Sequence, residues 1–222
     1  MSDTSWTLVR AAAAGEASAR AQLADHLLPV LRAYFQARWR DARHVSDIED
    51  AVQTSFVELF DVGGALPRAR PELGRFRAFV RGVARNVALR VEERRQREAA
   101  RVAGTVTALP ADDASLSQVF DRSWAQRIMD LAAQRMRSRV ASEGGELERQ
   151  VAILELRIGE GLAIRDIAAR WNEDRDACHR LYRRARLEFE RCLRAVVLEY
   201  SGCNEAEVDD ECRALAELLR PR

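Results

Sequence analysis

"GLAIRDIAARWNEDRDACHRLYRRARLEF", residues 161–189, carries two helical periodicities broken at one place. Ile164, Ile167, Ala168 and Trp171 recur at helical spacing on one side of a short helix. Asn172 follows where the chain must reverse through a left-handed conformation, which asparagine tolerates better than most residues. A longer helix then begins near Arg175, with Cys178, Leu181, Tyr182, Ala185 and Phe189 inward and His179, Arg180, Arg183, Arg184 and Arg186 outward. A short helix, a tight turn and a basic second helix describe a helix-turn-helix, whose second helix enters the DNA major groove. An ordinary helical hairpin with a solvated basic face fits the same residues equally well.

Outward from this stretch the pattern stays helical. Breakers are sparse, and no segment of real length alternates apolar and polar with β-branched enrichment, so the fold class expected is all-α. Helices are expected at about 5–14, 17–39, 46–60 and 75–97, and again at about 121–141, 146–158, 163–171, 175–198 and 204–219. Between the fourth and fifth, "RVAGTVTALPADDASLSQVF" (101–120) mixes small, polar and breaker residues in the manner of a flexible linker. The expected division is a helical domain over 1–100, the linker 101–120, a helix-turn-helix domain over 121–200, and an acidic amphipathic extension over 201–222.

Composition narrows the function classes. Of the 222 residues, 47% are hydrophobic, enough for a real core, and 32% are charged, which predicts a soluble surface. No apolar run is long enough to span a bilayer, and no basic-then-apolar leader opens the chain, so a cytoplasmic location away from membranes is expected. Cys178, Cys192, Cys203 and Cys212 lie 14, 11 and 9 apart, matching no common zinc or disulfide framework. Reduced thiols and no metal or other cofactor are expected. Chemistry of the chain's own is not expected either. His26, His44 and His179 are scattered, no glycine-rich phosphate loop follows a strand, and no carboxylate pair sits in an apolar setting.

The net charge of +1 conceals an uneven distribution. Residues 67–101 hold 11 arginines against 4 acids, residues 175–194 hold 7 against 3, and residues 199–222 hold 7 acids against 3 arginines. Every cationic side chain is arginine, which reads phosphate and base edges bidentately. The densest segment contains "GRFRAFVRGVARNVALRVEERRQRE" (74–98), where Phe76, Phe79, Val80, Val83, Val87 and Val91 form a buried stripe. Arg77, Arg81, Arg85 and Asn86 lie off that stripe, with Arg90, Arg94, Arg95 and Arg97 further along. Such a helix can follow a phosphate backbone; as a plain solvated face it would pair its arginines with Glu92 and Glu93.

Just upstream, "SDIEDAVQTSFVELF" (46–60) has a different character. Ser46 and Glu49 form a capping-box pattern, and Ile48, Ala51, Val52, Phe56, Leu59 and Phe60 make one apolar stripe. The remaining surface offers Asp50, Gln53 and Thr54, a polar face poorly suited to DNA.

Taken in order, "DIEDAVQTSFVELF", "FRAFVRGVARNVALR", a linker and "ERQVAILELRIGEGLAIRDIAARW" with its basic continuation resemble a bacterial RNA polymerase sigma factor of the extracytoplasmic-function group, over about residues 5–198. The most specific matches are D-x-x-Q at Asp50 and Gln53, F-R-x-F at Phe76–Phe79, A-R-N at Ala84–Asn86, and the Gly161 to Ala168 opening of the helix-turn-helix. The resemblance implies two helical domains that bind core RNA polymerase, through the clamp helices of its largest subunit and its flap, and direct promoter DNA recognition and melting. It assigns Asp50, Gln53 and Thr54 to polymerase docking. It places Arg77, Arg81, Arg85, Asn86 and Arg90 at the minus-ten element, with Asn86 holding a flipped base of the non-template strand. His179, Arg180, Arg183 and Arg184 fall on positions that reach bases or phosphates of the minus-thirty-five duplex. Phe76 and Phe79 align with an aromatic segment of the family, whereas their periodicity assigns them to core. An anti-sigma factor or other regulator is a further partner class.

Two features depart from the family pattern. Asp174 and Asp176 suit a helix N-terminus but place negative charge near DNA phosphates, and Cys178 replaces a β-branched residue. The tail resembles the short acidic extension of one branch of the group. Asn204 and Glu207 mark its helix start, Val208, Cys212, Leu215 and Leu219 line one face, and Pro221 follows its end. So short a stripe needs a surface to bury against. The expected seat is the basic second domain, where the tail would restrain DNA binding or simply cap the fold. The alternative to the whole scheme is a helix-turn-helix regulator acting on DNA without the polymerase, which would leave 46–60 idle.

Overall fold

The computed structural model describes residues 7–40, 45–61, 63–70, 74–103 and 113–220. The described residues are helical, with no strand among them: α1 (Thr7–Ala13), α2 (Ala17–Arg38), α3 (Val45–Phe60), α4 (Phe76–Ala103), α5 (Asp113–Glu143), α6 (Gly145–Leu154), α7 (Ile164–Trp171), α8 (Arg175–Tyr200) and α9 (Val208–Leu218). The start of the first helix at Ser5, the side chain of Ser46, His44, residues 71–73 of the Gly/Pro loop, 104–112 of the expected linker and Pro221 lie outside the described residues.

Two compact units emerge. The first combines residues 1–127 with 197–222, and the second is 128–196. This grouping differs from a break at 101–120, because α5 already starts at Asp113 and its first half belongs to the first unit. The reason is apolar. Leu116, Phe120 and Trp124 are buried, and Phe120 meets Tyr34 at 6.0 Å while Trp124 meets Phe76 at 6.2 Å, ring centre to ring centre. A segment carrying two such rings buries them rather than swinging free.

In the first unit, α2 is the central element. Leu23, Leu27, Leu31 and Phe35 of its inner face are fully buried. Pro29 sits inside this helix and cannot donate to the carbonyl of Asp25. Arg127 of α5 fills that place, donating to the Asp25 carbonyl at 3.3 Å and also to its carboxylate. After α3 the chain folds back tightly: Gly64 donates to the carbonyl of Asp61 at 2.8 Å and Ala65 to that of Glu58 at 2.6 Å. A Cβ on Gly64 would lie 2.9 Å from three carbonyl oxygens, so only glycine closes this turn.

The second unit packs Ile153, Leu154, Leu156, Ile164, Ile167, Cys178, Leu181 and Ala185 inward. The helix expected over 146–158 divides into α6 and a π-helical turn, Glu155–Gly159, whose Ile158 is 69% exposed. α7 ends as its sequence implies. Asn172 has φ 52° and ψ 46°, and Glu173 donates to the carbonyl of Ala168 at 2.9 Å. Asp174 then caps α8, accepting from the Ala177 amide at 2.8 Å.

Candidate nucleic-acid interface and docking face

The buried side of α3 consists of Ile48, Ala51, Val52, Ser55 and Leu59. Ser55 is tolerated there because its hydroxyl donates to the Ala51 carbonyl at 2.8 Å. That register leaves Asp50, Gln53, Thr54 and Val57 exposed at i, i+3, i+4 and i+7, a single face of the helix. Asp50, Gln53 and Thr54 form no hydrogen bond or ion pair among the described residues, and Val57 is 52% exposed. The acids beside them are engaged. Glu49 accepts two hydrogen bonds from Arg32 at 2.8 Å each, and Glu58 pairs with Arg90.

α4 keeps the expected apolar stripe, with Phe76, Val80, Ala84, Val87 and Ala88 buried. Phe76 is core, and Phe79 is half-buried and stacked 6.1 Å from it. The arginines off this stripe lie on one face at helical spacing, but they are not free. Arg77 approaches Asp121 at 3.3 Å and Glu211 at 3.7 Å, Arg81 donates to Asp121 at 3.0 Å, and Arg85 donates to Asp113 at 2.9 Å. Arg75 pairs with Glu211 as well. The hydrogen bond from Arg85, with Arg38 behind it, holds the Asp113 carboxyl below its usual range. Each arginine assigned to DNA on α4 therefore has a carboxylate of the first unit against it. Asn86 is exposed and has no hydrogen-bond partner among the described residues. Gly82, one turn before it, is also exposed, and a Cβ there would meet nothing within 4 Å.

Further along α4, Glu92 does not neutralise its own helix. It accepts from Arg38 of α2 at 2.6 and 2.9 Å and from the Trp39 indole at 2.9 Å. Burial raises the Glu92 carboxyl, and these hydrogen bonds outweigh it and hold the group below its ordinary value. Arg95 lies over the Trp39 ring at 4.9 Å and pairs with Asp47. Glu93 does pair within the helix, with Arg97 at 3.4 Å.

On α8 the outward set is exposed as its periodicity requires: His179, Arg180, Arg183, Arg184 and Arg186. Arg184 is paired with Glu146 at 2.9 Å. Arg180 and Arg183 form no ion pair among the described residues. Asp174 is committed to the helix cap, so its charge serves α8 as well as facing solvent.

The tail takes a different seat from the one expected. α9 belongs to the first unit, not to the second, and its Glu211 is 1% exposed against Arg75 and Arg77. Sequence patterning marked Val208 and Leu215, both buried, but gave no sign that an acid would be buried between them. A second feature without a sequence signal is His26. It is fully buried, 4.6 Å from both the Trp124 and Tyr200 rings, and neither of its ring nitrogens has a hydrogen-bond partner among the described residues. Burial, with the charge of Arg127 added, pushes its pKa down to about 3, so the ring is neutral. The four cysteines are free thiols. Burial raises Cys178 and Cys192, and it pushes Cys203 up to about 12 with Glu211 reinforcing the shift. Such thiols fill space rather than react.

Among the described residues no helix is long and apolar enough to cross a membrane. No family model, curated protein or solved structure matches the chain.

Proposed function

We propose that the chain is a dissociable specificity subunit of bacterial RNA polymerase, of the extracytoplasmic-function sigma type, acting in the cytoplasm without chemistry of its own. In this reading α3 docks on the clamp helices, α4 engages the minus-ten strand, and α7 with α8 forms a helix-turn-helix for the minus-thirty-five duplex. The observation that carries it is the contrast between adjacent helices. α3 presents Asp50, Gln53, Thr54 and Val57 with no partner among the described residues and without a basic group, while α4 after it carries a row of arginines, each against a carboxylate, beside the exposed Asn86. A polar face ending in an exposed valine, with no cations, suits a protein partner. The arginine row suits phosphate.

A second reading has one observation in its favour. Among the described residues Arg180 and Arg183 are free of ion pairs whereas the α4 arginines are taken, as expected of a regulator that binds duplex DNA through α8 alone. Gel filtration with core polymerase separates the two. The sigma reading expects co-elution that Asp50→Ala with Gln53→Ala weakens, each lost polar contact being worth about 1 kcal/mol, with helicity unchanged. A DNA shift in the absence of polymerase, with no co-elution, selects the regulator.

A further inference from the structure

The arginine row of α4 is covered from within its own unit. Glu211 spans Arg75 and Arg77, Asp121 spans Arg77 and Arg81, and Asp113 holds Arg85. Three anions thus follow one another over the stretch from residue 75 to residue 85, about 15 Å of helix. Carboxylate and phosphate oxygens satisfy a guanidinium in the same way, so this row occupies the positions that a nucleic-acid backbone would need.

The cover is deepest and least well made at the tail. Arg77 is 14% and Glu211 1% exposed, yet their facing atoms stand 3.7 Å apart. Arg77 Nη1 and Glu211 Oε1 are both buried without a hydrogen bond. Glu211 takes its hydrogen bond from Arg75, through Oε2, so the Arg77 side of the contact gains little over its desolvation cost. α9 has only eleven residues, too few to persist alone, and Val208 and Leu215 are its fully buried apolar anchors.

We infer that α9 is an internal competitor for the arginine row: its Glu211 stands in for a phosphate, and single-stranded nucleic acid binds α4 by displacing the tail. This rests on α4 being the nucleic-acid interface of the proposed function. Asp113 and Asp121 belong to α5, whose Phe120 and Trp124 are core, so α9 is the part of the cover that moves.

Binding of a fluorescent single-stranded oligonucleotide, followed by anisotropy across a salt series, tests this on the full chain, Glu211→Gln and Arg81→Ala. Circular dichroism verifies their helicity. The bound state has the tail displaced in both proteins, so its phosphate contacts and salt slope should be the same. Glu211→Gln should instead raise affinity across the salt series by roughly tenfold, the equivalent of one charge-assisted hydrogen bond no longer broken on binding. Arg81→Ala should weaken binding. Unchanged affinity in Glu211→Gln, with weaker binding in Arg81→Ala, overturns the competition and leaves α4 as the interface. No effect of either variant overturns both. Hydrogen exchange on the unaltered chain supplies a readout independent of any substitution. Amides of Val208–Leu218 should exchange faster when the oligonucleotide is bound, and undiminished protection overturns displacement of the tail.

Discussion

His26 should make the first unit acid-sensitive well above the pH at which carboxylates titrate. Its ring is fully buried between Trp124 and Tyr200, and its pKa is lowered from 6.5 to about 3. The sign follows from proton uptake. Between those two values the unfolded chain binds a proton that the folded chain refuses, so stability present above pH 6.5 is lost as the pH falls toward 3. From pH 7 to pH 5 the linkage amounts to about 2 kcal/mol, with a slope approaching 1.4 kcal/mol per pH unit at the acid end. His26→Leu removes the titration at similar size. It also removes two buried nitrogens that have no partner, which offsets the cost of the changed shape. Urea unfolding of both proteins at pH 7 and pH 5, followed by the fluorescence of the adjacent Trp124 and by circular dichroism, isolates the effect. The Arg–carboxylate pairs are common to both proteins and cancel in the comparison. The unaltered chain should lose about 2 kcal/mol more than His26→Leu over this interval. Equal losses would refute the argument, and would mean that His26 finds a partner for its proton in the folded state.

Asn86→Ala should reduce open-complex formation on a duplex promoter and have less effect on a template pre-melted at the minus-ten element, measured by permanganate footprinting. Equal losses on both templates would assign Asn86 another role. Arg183→Ala should lower duplex affinity and flatten its salt dependence by about 0.9 in slope, one phosphate contact's worth, whereas Arg184→Ala must first be credited with breaking the pair to Glu146. An unchanged slope for Arg183→Ala in filter binding would mean the side chain only faces solvent. Gly82→Ala should raise stability by up to about 1 kcal/mol in thermal unfolding, since a helical glycine is replaced where no atom obstructs the new methyl. Gly64→Ala should do the reverse, because three carbonyls stand in the way.

Local patterns predicted local structure well. The stripe Phe76, Val80, Val83 and Val87, the reversal at Asn172 and the inward Cys178, Leu181 and Ala185 are properties of a few adjacent turns, and periodicity exposes them. The same holds for which side chains face out, so Asp50, Gln53, Thr54, Asn86 and Arg183 were legible as exposed. Their partners were not. Arg81 meets Asp121 and Arg77 meets Glu211 across 40 and 134 positions, and only the tertiary packing of α5 and α9 sets those pairs. Glu92 illustrates the limit. An i, i+3 reading offers it Arg95 of its own helix, yet a buried Arg38 of α2 and the indole of Trp39, just after it, bind it in a drier setting. α5 begins at Asp113, inside the segment expected to be a linker, for a related reason. Small and polar residues dominate its composition, but Leu116 and Phe120 within it are spaced for a helix and find a core. Nor did the acidity of the tail identify its seat, because the sequence offers two arginine clusters and charge alone does not choose between them.

Transcription in vitro on fragmented genomic DNA, with purified core polymerase in the presence and absence of the chain, tests the central claim most directly. The account predicts RNA 5′ ends that appear only with both components and share two short sequence elements upstream, and that fade with Asp50→Ala and Gln53→Ala combined. No chain-dependent 5′ ends at saturating protein, together with a shift of the same DNA in the absence of polymerase, would contradict it.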